Sequence, residues 1–111
     1  MSTFIKSNIE ARFSSLIEGT HRASLFQTNR LSAQGVYLQP HQEHNGESGA
    51  KETIILQVFR GTGELCLIEH GAKPLYLQIM GGDVFVIPTM SVFKVLNTDQ
   101  ENLVLSEIAV R

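Results

Sequence analysis

The sequence predicts an all-β domain of the sandwich or small-barrel kind, and three observations carry that prediction. From Ala23 onwards the apolar residues come in short runs. Turn residues interrupt them roughly every eight to twelve positions, the spacing of strands in all-β domains. The densest run, Thr53-Ile54-Ile55-Leu56-Gln57-Val58-Phe59-Arg60, is β-branched and aromatic, which suits a pleated surface.

The first segment stands apart. Ile9, Phe13, Leu16 and Ile17 recur at helical spacing, Ser7 with Glu10 makes a capping box, and Gly19 follows Glu18 as a stop. A short amphipathic helix from about Asn8 to Glu18 follows, with a first strand of irregular flanks as the alternative reading. Residues 1–22 are taken as a helical extension and 23–111 as the β domain. Within that domain Val36-Tyr37-Leu38 runs from Gly35 to Pro40, and His41 to Lys51 reads as a polar loop without periodicity. Strands are expected at Thr53–Arg60, Leu65–Glu69, Leu75–Met80, Val84–Ile87, around Phe93, and at Leu103–Val110. On 53–60 both faces are apolar, Ile54, Leu56 and Val58 on one and Ile55 and Phe59 on the other. A strand with one wet face would alternate more cleanly, so a second cover is expected, from the helix or from another subunit.

Bulk properties narrow the function classes. Nine Lys and Arg against eleven Asp and Glu leave a net charge of −2, with no electrostatic footprint for nucleic acid. The lone Cys66 lies in an apolar run and reads as an inert buried thiol in a reducing compartment. No apolar run approaches the roughly 20 residues that span a bilayer, and the first residues lack the regions of a signal peptide, so a cytoplasmic or nuclear protein is expected. No phosphate-cradling glycine motif, nucleophile elbow or cysteine–histidine pair stands out.

The stretch from Gly81 to Asn97 is the most structured in the chain. Gly82-Asp83 suits a tight bend, Val84 to Ile87 a buried strand, and Pro88 a strand end. Glycine, five residues, proline, and then an asparagine at Asn97 resembles the second signature of the cupin barrels. Where that signature has its metal-binding histidine, this chain has Phe93. Of the first signature, Gly35 and His41 match the start, the second histidine is displaced to His44, and the glutamate position falls on Ile54. A catalytic metal site needs about three protein ligands and an open position, and too few survive. The remaining route to a metal is a loop cluster of His41, His44, Glu47 and Glu52. With Phe93 and Val95 turned inward, a plugged barrel is expected, with neither metal nor cofactor.

More specifically, residues 24–111 resemble the C-terminal cupin domain of centromere protein C. The resemblance rests on Leu25-Phe26, Gly35 to Pro40, Ile54 to Phe59, Gly82 to Pro88, Phe93 to Asn97, and Leu103-Val104-Leu105. One departure is the turn Thr89-Met90-Ser91, which lacks the glycine usual after this proline. The resemblance implies a non-enzymatic homodimerisation module of a longer inner-kinetochore scaffold, in the nucleus at the centromere. It implies docking of centromere-assembly proteins, and no direct contact with nucleic acid or membrane. The expected dimer patch is Ile55, Phe59 and Leu96, joined by Ile9 and Phe13 if the helix crosses over. Two other readings are a metal- or ligand-binding cupin of bacterial type, enzyme or sensor, and the sugar-sensing half of a transcriptional regulator.

Overall fold

The computed structural model describes residues 22–111, so the expected helix, with Ile9 and Phe13, lies outside the described residues. Within them the chain forms β1 (Arg22–Gln27), β2 (Leu31–Leu38), β3 (Glu43–Glu47), β4 (Thr53–Arg60), β5 (Thr62–Glu69), β6 (Leu75–Met80), β7 (Val84–Ile87), β8 (Ser91–Asn97) and β9 (Leu103–Val110). All pairing is antiparallel. Five strands make one sheet in the order β1-β2-β9-β4-β7, and four make the other in the order β3-β8-β5-β6. Strands consecutive in sequence repeatedly fall in different sheets, which is the jelly-roll arrangement.

Period-two alternation fills the space between the sheets. Ile54, Leu56 and Val58 of β4, with Leu103 and Leu105 of the neighbouring β9, face Leu65 and Leu67 of β5 and Phe93 and Val95 of β8, all buried. The turn before β7 works as its residues demand. Gly82 takes φ +98°, a conformation that a Cβ disfavours, and Asp83 Oδ2 accepts from the Met80 amide at 2.9 Å. Pro88 ends β7. Where a glycine would be usual after it, Met90 adopts φ +60° itself, with its amide bonded to Gly49 O at 3.2 Å. Buried Asn97 closes the far end of β8. Its Nδ2 donates to Leu38 O at 2.9 Å and Glu101 O at 2.8 Å, while its Oδ1 accepts from the Asp99 amide.

Three expectations need correction. β5 begins at Thr62 rather than Leu65, because Thr62 and Gly63 already pair with Met80 and Ile79 of β6. β2 begins at Leu31, five residues before Val36, because β9 pairs with it along its whole length. The stretch 41–51 is not a continuous loop: Glu43–Glu47 is a strand. Its composition has little β-propensity, and its order comes from register with β8, from Glu43 opposite Leu96 to Glu47 opposite Val92.

Candidate functional site

Making 43–47 a strand gives its side chains alternate directions, and the two inward positions are His44 and Gly46. They stand opposite Val95 and Phe93 of β8. His44 is buried, and its Nε2 lies 2.9 Å from Oε1 of Glu107 on β9, across the barrel. Gln34 of β2 donates through Nε2 to the other carboxylate oxygen, Oε2, at 2.6 Å. Both oxygens of Glu107 are therefore held, by groups from two different sheets. Burying such a carboxylate is tolerable because it is hydrogen-bonded, and removing one partner would strand the rest.

This corrects the loop cluster. His41 is exposed in the β2–β3 turn at φ +67°, Glu47 is exposed, and Glu52 accepts from Arg111 Nε at 3.0 Å. Only His44 enters the barrel, so it and not His41 is the inward remnant of the histidine pair. Among the described residues no three His, Cys, Asp or Glu side chains stand close enough to hold a metal ion.

The positions a cupin metal would need are otherwise occupied. Phe93 is buried with its ring centroid 6.1 Å from that of His44. A Cβ on Gly46 would run into the Phe93 ring, so that ring fills the volume a second inward side chain on β3 would use. Ile54 is buried hydrocarbon. The residues present do not fit the metal of the wider fold family.

The barrel is nevertheless not plugged throughout. Past Glu107 it opens into a cavity of about 360 Å³, with Gln34, Glu107, Ile54 and Ala109 at its wall and Ser32, Glu52 and Arg111 at its rim. The Arg111 guanidinium bonds Glu52 and also donates through Nη2 to Ser32 Oγ at 3.0 Å. Sequence reasoning missed Gln34 and Glu107, yet a signal existed. Glu107 is the lone polar residue on the inward parity of β9, between Leu105 and Ala109, and Gln34 shares the inward parity of Val36 and Leu38 on β2.

The expected dimer patch is divided. Ile55, half-buried, and Phe59, 47% exposed, lie on the outer face of the five-stranded sheet. Leu96, half-buried, lies on the outer face of the four-stranded one, because Val95 and Asn97 beside it point inward. No single flat surface holds all three.

No protein-family profile matches this sequence, and no curated protein matches it. Solved structures do match in shape. A double-stranded β-helix protein of Klebsiella pneumoniae, described as uncharacterized, is 15% identical with a TM-score of 0.80, covering 97% of this chain and 90% of its own. The Cnp3 cupin domain of Schizosaccharomyces pombe is 18% identical with a TM-score of 0.69 over 80% of this chain, which spans 59% of that one. The CENP-C cupin domain of Drosophila melanogaster is 17% identical with a TM-score of 0.68, covering 85% of this chain and 69% of its own. A bacterial protein described as a predicted oxalate decarboxylase, from Thermotoga maritima, matches at a similar identity of 18%. Topology and likeness agree that this chain has the all-β jelly-roll fold of the cupins.

Proposed function

We propose that this chain is a non-catalytic cupin that pairs with a second copy of itself and so joins two copies of a longer scaffold protein. One observation carries the reading. Among the described residues nine large apolar side chains are exposed, and six of them, Phe59, Leu75, Tyr76, Met80, Val84 and Val86, belong to β4, β6 and β7. β6 and β7 are edge strands of the two sheets, linked by the short turn at Gly81-Gly82-Asp83, and β4 lies beside β7. The six therefore flank one edge of the sandwich, with Phe59, Val84 and Val86 on the outer face of the five-stranded sheet and Tyr76 and Met80 on that of the four-stranded one, and apolar exposure concentrated along an edge marks an interaction surface. The likeness to CENP-C cupin domains supports the same reading. On this reading the place of action is the centromere, and centromere-assembly proteins are further partners.

Light scattering at high micromolar concentration is expected to give twice the chain mass of 12.3 kDa. Elemental analysis is expected to find no stoichiometric iron, zinc or manganese. A monomer at that concentration, or one tightly held metal per chain, overturns the reading.

The cavity beyond Glu107 favours a second reading, a cupin of bacterial type that binds a small polar molecule. Its signature would be a small polar compound that raises the melting temperature of the wild type but not of Gln34→Ala, whose amide lines the cavity.

A further inference from the structure

We propose that β6 pairs with the β6 of a second copy across a two-fold axis at Gln78, joining the two four-stranded sheets into one of eight strands. This rests on the pairing reading above and names the seam.

The four sheet edges differ in how they are protected. β1 carries Arg22 and an irregularity between Ser24 and Phe26, and β3 carries Glu43 and Glu47. Charges and irregularities are what keep an edge strand from pairing with another chain. β6, Leu75-Tyr76-Leu77-Gln78-Ile79-Met80, has no charge, no proline and an unbroken register with β5. β7 is also uncharged, but it has four residues and ends at Pro88. Among the described residues β6 is the longest edge strand without a charge or a proline, capped only at its last residue, where the Met80 amide donates to Asp83 Oδ2.

The strand is complementary to itself. A two-fold axis perpendicular to the sheet keeps each residue on its own face, so only registers pairing positions of like parity are allowed. Centred on Gln78, such a register sets Tyr76 against the partner's Met80 and Leu77 against the partner's Ile79. Pro74, which cannot donate to a ladder, stays outside it. Tyr76 and Met80 are 62% and 56% exposed in the single chain and would cover one another. No like charges meet anywhere along the seam, and Gln78 faces its own copy, where two amides can exchange hydrogen bonds.

The test is a cross-link in the full chain. Directly opposed residues of antiparallel strands lie about 4.5–5.5 Å apart at Cα, within the roughly 4.4–6.8 Å a disulfide spans. With Cys66→Ser to remove the native thiol, oxidised Gln78→Cys is expected to run as a covalent dimer. Val92→Cys, on the outer face of β8, is expected to stay a single chain. Gln78→Glu places two carboxylates opposite each other and is expected to raise the dimer dissociation constant at least about tenfold, with the melting temperature unchanged. A wild-type dimer in which Gln78→Cys cross-links no faster than Val92→Cys, or in which Gln78→Glu leaves dissociation unchanged, overturns the seam and leaves the pairing reading standing. A wild-type monomer removes both.

Discussion

The two halves of the barrel interior were built on different terms. Toward Asn97 the space is dry: Leu38, Val58, Leu65, Val95, Leu103 and Leu105 are all buried, and the Asn97 side chain ties the end shut by hydrogen bonds to Leu38 and Glu101. Toward Arg111, Glu107 of β9 and Gln34 of β2 meet His44 of β3, and the barrel opens into its cavity. Where the two halves meet, His44 and Gly46 of β3 stand opposite Val95 and Phe93 of β8, and the buried Phe93 ring lies 6.1 Å from the His44 ring. The difference shows that a barrel can keep its frame while its mouth changes chemistry. The dry half holds the sheets together, and the polar half is a network that stability alone does not require.

That contrast can be broken by substitution, followed as the midpoint of urea unfolding. The largest loss is expected for Phe93→Ala, which removes a fully buried ring from the core and should cost about 3–5 kcal/mol. A cost under about 1 kcal/mol would mean the ring only lines the cavity wall. Next comes Asn97→Ala, expected at about 2–3 kcal/mol because it leaves buried carbonyls unpaired at the dry end. Gly46→Ala should follow at about 1–3 kcal/mol, since its methyl meets the Phe93 ring. In a Phe93→Ala background the same methyl should cost almost nothing further, and failure of that rescue would show the clash is with something else. The smallest effect is expected in the polar half. Glu107→Gln keeps the shape of the side chain and should cost about 1 kcal/mol, as the price of one charge-assisted contact. A loss as large as that of Phe93→Ala would make the network part of the frame, and the comparison would collapse.

Much of the frame was legible beforehand. Thr53–Arg60, Leu75–Met80, Val84–Ile87 and Leu103–Val110 are strands with the ends their turn residues predict, because alternation and turn chemistry are local. The site was not. His44 looked like a loop residue because Glu43 to Glu47 has no strand signal of its own, and only β8 supplies one. Its partner stands 63 residues away. Nothing in the local pattern links the two, and the lone polar residue on the inward side of β9 was a hint without an address.

By itself the sequence determined the all-β character, the inward face of the long strands and the Gly82–Pro88–Asn97 frame, since these follow from backbone sterics and short-range alternation. Tertiary structure alone decided that His44 meets Glu107 and Gln34 and that Phe93 closes over Gly46. It also decided that Ile55 and Leu96 lie on opposite sheets and that, among the described strands, β6 ends its sheet. Those outcomes depend on which strands lie side by side, and long-range pairing is settled by the packing of the whole barrel rather than by any one segment.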